Sequence, residues 1–104
     1  MRVRIGQQVF DYIVEFYNVS MERHPLLSFQ TVMAKEERLI KSLRHLEVCA
    51  ASLKYAEIRQ DRIDAGYRDY HVEGFHFGYR IEILPSGENV AVVYEVCHDT
   101  LFHA

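Results

Sequence analysis

Toward the C-terminal end of the chain, apolar residues recur at every second position, the period of a β-strand with one covered face. In Phe75–Ile83 the residues Phe75, Phe77, Tyr79, Ile81 and Ile83 share one face, and His76, Gly78, Arg80 and Glu82 share the other. A preceding strand is predicted over residues 67–72, joined to it by Glu73-Gly74, a two-residue connection of the kind that closes a tight hairpin. Beyond it, Pro85 and Gly87 within residues 84–89 turn the chain toward a third strand over residues 90–97. That strand is apolar on both faces, with Val90, Val92, Tyr94 and Val96 alternating with Ala91, Val93, Glu95 and Cys97, which predicts a central strand with more than one neighbour.

The N-terminal half changes period. Residues 2–6 alternate as a short strand, an edge or a central parallel addition to the sheet. Over residues 7–23, Val9, Phe10, Ile13, Val14, Phe16, Tyr17 and Met21 recur at helical spacing, and Pro25 ends the run by forcing its predecessor out of the α region. Ser28 is the predicted N-cap of a second helix that carries Phe29, Val32, Met33, Ile40, Leu43 and Leu46 inward. Two such stripes cannot both be buried against each other, so the hairpin of helices should pack across one face of the strands. The predicted fold is therefore α+β: a short N-terminal strand and a helical hairpin packed on a C-terminal three-stranded antiparallel meander.

Composition narrows the functional classes. With 104 residues the chain is read as one domain, residues 1–104, and a net charge of −3 excludes a uniformly basic nucleic-acid-binding surface. Two cysteines make no disulfide framework, and no stretch has the length of a signal peptide or membrane span, so a reduced cytoplasmic setting without membrane contact is expected. Arg59, Arg62 and Arg68 form the strongest basic cluster, but Asp61, Asp64 and Asp69 interleave with them, and ordinary surface pairing reads equally well. His71 with His76, or His98 with His103, suggest metal ligands by residue type, yet neither pair has convincing partners in the sequence; no metal or other cofactor is expected.

Element order and three short stretches together resemble the ParE/RelE toxin superfamily of bacterial type II toxin–antitoxin pairs, the plasmid stabilisation proteins. Residues 59–68 end in Gly66-Tyr67-Arg68, similar to the basic stretch that enters the second strand of ParE-like members. Phe75-His76-Phe77-Gly78-Tyr79-Arg80-Ile81 resembles the family's aromatic-rich third strand, and residues 92–98 its closing strand ending on histidine. The architecture covers nearly the whole chain, the motifs only residues 59–98.

Two mechanisms follow from the resemblance. ParE-like members bind DNA gyrase and inhibit growth without catalytic residues of their own; this chain is nearer to them, with Arg59, Arg62 and Arg68 as the implied target-binding residues. RelE-like members are ribosome-dependent mRNA endoribonucleases that need cations where charge develops on the phosphate. Here those positions fall near Tyr67, Asp69, His76 and Asp99, which leans away from an enzyme and leaves His76, Arg80 and His98 as substitutes for catalysis. A member that keeps the fold without toxicity is a third reading. In each case the resemblance implies a cognate antitoxin, for which Tyr12, Phe16, Tyr17 and Tyr55 are the expected contact surface. A homodimer and a hetero-oligomer with the antitoxin both stay open.

Overall fold

The computed structural model describes residues 1–52 and 64–99. In chain order these form β1 (Arg2–Ile5), α1 (Gln7–Arg23), α2 (Phe29–Arg44), the short α3 (Leu46–Cys49), a 3-10 turn at Ala50–Ser52, β2 (Arg68–Val72), β3 (Phe75–Ile83) and β4 (Asn89–His98). The fold is α+β. The strands make one four-stranded sheet in the order β1-β4-β3-β2, in which β2, β3 and β4 form the antiparallel meander. β1 lies parallel to β4 at the edge, with Val3 opposite Ala91 and Ile5 opposite Val93. β4 is thus flanked on both sides, as its two apolar faces predict.

Local chemistry explains where the elements begin and end. The Ser28 hydroxyl accepts the Thr31 N–H at 3.1 Å, satisfying one of the backbone donors left open at the start of α2. β1 is held at its outer end by Arg2, whose Nε and Nη2 donate to the Glu88 carboxylate at 2.9 and 2.8 Å. Glu73 and Gly74 both have positive φ, 51° and 81°, the requirement of the tight turn that lets β2 fold back on β3.

The core lies between the helices and one face of the sheet. Val9, Ile13 and Tyr17 of α1 and Val32, Leu39 and Leu43 of α2 pack with Leu46, Ala50, Phe75, Phe77, Tyr79, Ala91 and Val93. In α2 the buried stripe is rotated from the one the sequence suggests. Leu39 is fully buried, whereas Phe29 and Met33 are exposed, and Val14 of α1 is exposed too. Each helix buries three residues against the core, Val9, Ile13 and Tyr17 in α1 and Val32, Leu39 and Leu43 in α2, so apolar residues at the margin of the stripe stay in water.

A β-bulge breaks the β3–β4 ladder. Gly78 pairs with Glu95 but Tyr79 pairs with Val93, leaving Tyr94 as the extra residue. The bulge shifts the alternation of β4, which brings Ala91 and Val93 before it, and Val96 after it, against the same core. A Cβ at Gly78 would come within 3.3 Å of Glu95 Cβ, so a side chain there would crowd the bulge. The face of the sheet opposite the helices carries His71, His76, Arg80, Glu82 and Tyr94, and this is where the polar chemistry collects.

Candidate functional site

His71 and His76 each sit two positions from the Glu73-Gly74 turn, one on either side, and the hairpin register places them directly opposite one another. Their rings stack with centroids 4.1 Å apart and planes within 6°. At the next pair on the same face, Asp69 lies opposite Gly78, where the lack of a side chain on β3 leaves it room to reach His76. His76 Nδ1 is 2.9 Å from Asp69 Oδ2, and both side chains are only 10% exposed. From the end of β4 comes Asp99, whose backbone N–H donates to the Gly74 carbonyl at 2.9 Å. Its Oδ1 lies 2.7 Å from His76 Nε2 and 2.9 Å from His71 Nε2.

One imidazole is therefore held between two carboxylates, with a second imidazole stacked on it and sharing one of them. The hydrogen bond from His71, followed by the charges of His71 and His76, holds the Asp99 carboxyl below its ordinary range. Farther along the same face the Arg80 guanidinium lies 5.6 Å from the Tyr67 ring centroid, and Tyr67 meets Tyr94 edge-on. Tyr94 donates to Glu82, and that hydrogen bond is the main reason its phenol ionises above the usual value. A pair of imidazoles with fixed carboxylate partners can move protons near neutral pH or hold a cation. His71, His76 and Asp99 are the group of potential metal ligands found among the described residues, with donor atoms all within 4.8 Å of one another.

The residues suggested by the sequence separate onto different surfaces. His76 and Arg80 share the open face of β3, but His98 points to the helix side, stacked on Phe16 at 4.6 Å and edge-on to Phe75 at 5.1 Å. His98 is therefore no part of the His76 cluster; Asp69, His71 and Asp99 take that place. Arg68 is turned toward the helices as well, its Nη1 donating to the Ala51 carbonyl at 2.9 Å. Arg59, Arg62 and Tyr55 lie outside the described residues.

The expected contact surface on α1 has a shape of its own. A cleft of about 750 Å³ opens between α1, the α1–α2 connection and the end of the sheet, with Phe16, Tyr17, Leu26, Leu27, Phe75 and His98 in its lining and Lys35, Arg38 and Glu73 at its charged margin. A second cleft of about 410 Å³ adjoins it and shares Phe16, Ser20, His24 and His98. Tyr12 lines this second cleft, and its hydroxyl accepts the His98 backbone N–H at 3.2 Å. Tyr17 contributes only an edge, since its ring is 8% exposed and belongs to the core. Burial is the main reason its phenol ionises above the usual value.

Comparison with known proteins yields no matching family model, no matching curated protein and no matching solved structure. Among the described residues no helix is long and apolar enough to cross a membrane.

Proposed function

We propose that the chain is the toxin component of a type II toxin–antitoxin pair, ParE-like in mode, acting in the cytoplasm by binding DNA gyrase and neutralised by a cognate antitoxin. The observation that carries this reading is the pair of adjoining clefts along α1. Phe16 lines both, and the apolar lip includes Leu26, whose side chain is fully exposed. A continuous apolar groove with charged margins is the kind of surface that receives an amphipathic helix or an extended segment. The order of elements, the Gly66-Tyr67-Arg68 entry into β2 and the aromatic alternation of β3 support the same family.

The binding mode is favoured over cleavage because of what lies on the open face. Two carboxylates, Asp69 and Asp99, surround His76, and Arg68 is directed to the other side of the sheet. Anionic groups at that position oppose the approach of a phosphate. A ribosome-dependent endoribonuclease stands as the second reading on one specific observation: the stacked His71 and His76 supply two imidazoles for acid–base work. Inducing the chain in cells separates the two. Growth arrest with a DNA-damage response and intact mRNA is expected; arrest with ribosome-dependent mRNA cleavage would establish the second reading. Absence of any growth effect would leave a non-toxic member of the fold.

A further inference from the structure

We infer that His71, His76 and Asp99 form a binding site for one divalent transition-metal ion, Zn²⁺ foremost. The inference rests on the geometry of the open face and is independent of the toxin reading.

The donor set is the first argument. His71 Nε2 and His76 Nε2 both approach Asp99 Oδ1, at 2.9 and 2.7 Å, and the donor atoms of the three side chains all lie within 4.8 Å of one another. Ligands about 2.1 Å from an ion lie about 3 Å apart when they subtend a right angle and about 3.4 Å at the tetrahedral angle, so an ion is admitted once the carboxylate draws back slightly and the stacked rings turn toward a common point. Two nitrogens and one oxygen suit Zn²⁺, Ni²⁺, Co²⁺ or Fe²⁺, whereas Mg²⁺ and Ca²⁺ favour oxygen-rich shells.

Charge is the second argument. Asp69 is an acceptor when ionised, so His76 Nδ1, at 2.9 Å, carries the proton and donates to it. His76 then turns Nε2 toward the Asp99 carboxylate, and His71 does the same from the next strand. His71 can donate an Nε2 proton to Asp99 as a neutral ring, but His76, with its proton on Nδ1, meets Asp99 with a lone pair unless a second proton or a metal ion sits at its Nε2. Asp69 Oδ1 is itself buried without a hydrogen-bond partner, so a cation on the His76 side would compensate a polar atom that water does not reach.

The third argument is the shell behind the ligands. A histidine that binds a metal through one nitrogen commonly donates its other N–H to a carboxylate, which fixes tautomer and ring orientation and raises the basicity of the ligand. Asp69 occupies that position, and its side chain, like that of His76, is nine-tenths buried. On the outer side His71 and Asp99 are 52% and 41% exposed, so an ion can enter from solvent and retain water at its remaining positions. Three protein ligands with open positions correspond to a catalytic rather than a closed structural zinc site.

The test uses the full chain stripped of metal by a chelator and titrated with Zn²⁺ by calorimetry and with Co²⁺ by its visible absorption. One ion per chain is expected, with absorption of a nitrogen- and oxygen-ligated ion, and Zn²⁺ should raise the unfolding temperature by mass action. Asp69→Asn should weaken binding by about 10- to 100-fold, and His71→Ala or Asp99→Ala, both altering exposed side chains, should weaken it at least as much. A Cys49→Ser/Cys97→Ser variant should bind as the wild type does. Failure of the wild-type chain to take up one ion would overturn the assignment. Affinity unchanged in both His71→Ala and Asp99→Ala, or binding lost in the cysteine variant, would place the ion elsewhere and overturn it equally.

Discussion

Tyr79 is fully buried on β3, and its hydroxyl donates to the Ala50 carbonyl in the 3-10 turn, tying the sheet to the end of the helical layer. Removing that donor leaves a buried carbonyl to find another partner, so Tyr79→Phe should destabilise the fold by about 1–3 kcal/mol, seen as a lower urea midpoint at unchanged slope. Burial pushes the Tyr79 phenol from its ordinary 10.0 up to about 12. Because the folded value lies above the unfolded one, the associated stability is present below pH 10.0 and is lost as the pH rises toward about 12. Wild type should therefore lose stability more steeply than Tyr79→Phe across that interval; equal slopes would show that Tyr79 ionises like an exposed phenol. His76 shows how much of the site can be read before folding. Once Glu73-Gly74 is taken as a two-residue turn, counting outward places His71 opposite His76, so that pair was accessible from the sequence. Asp99 was not, because its position depends on the β3–β4 register beyond the bulge, where simple alternation fails.

The β2–β3 turn is the element whose local chemistry departs furthest from its geometry. Glu73 holds φ at 51°, a region that non-glycine residues enter at a cost and that asparagine tolerates best. Its contact with Arg38, at 3.9 Å between half-exposed side chains, offsets little of that cost. Glu73→Asn should therefore raise stability by up to about 1 kcal/mol, read from chemical denaturation, and a decrease would mean that the Arg38 contact matters more than the turn. β1 depends on a different kind of restraint. The hydrogen bond from Arg2 depresses the Glu88 carboxyl, so the pair supports β1 above the ordinary carboxylate range, and that support is lost as the pH falls through the lowered value. The exchange protection of the Gly6 amide, which donates to the Val93 carbonyl at 3.0 Å, should fall on acidification relative to the β3 amides, and Glu88→Gln should show the lower protection already at neutral pH. The elements themselves were largely legible, since strands and helices differ in period and Ser28 and Pro25 mark the helix ends. The orientation of α2 was not, because periodicity locates an apolar stripe but does not say which margin of it the sheet will cover, and Phe29 and Leu39 exchanged places on that account.

For the molecule as a whole, the sheet separates two surfaces. The cleft beside α1 lies on the helix side, the histidine–aspartate cluster on the open side, and they approach each other at the end of β4, where His98 stacks on Phe16 and the next residue, Asp99, meets His71 and His76. If the cleft receives the antitoxin and the opposite face serves another role, a change in one should leave the other intact. Leu26 tests this, because it lines the cleft and is fully exposed. Replacing it by glutamate places a charge in an apolar groove and should weaken partner binding by about 1–3 kcal/mol, roughly 5- to 150-fold. The fold should change by less than about 0.5 kcal/mol, as for other exposed positions. Co-expressed with the product of the adjacent reading frame, Leu26→Glu should fail to retain the partner on purification and should inhibit growth where the wild-type pair does not. The imidazole resonances of His71 and His76 should be the same in Leu26→Glu and wild type. Partner retention equal to wild type would remove the cleft as the docking surface, and shifted histidine resonances would show that the two faces of the sheet are coupled through His98 and Asp99.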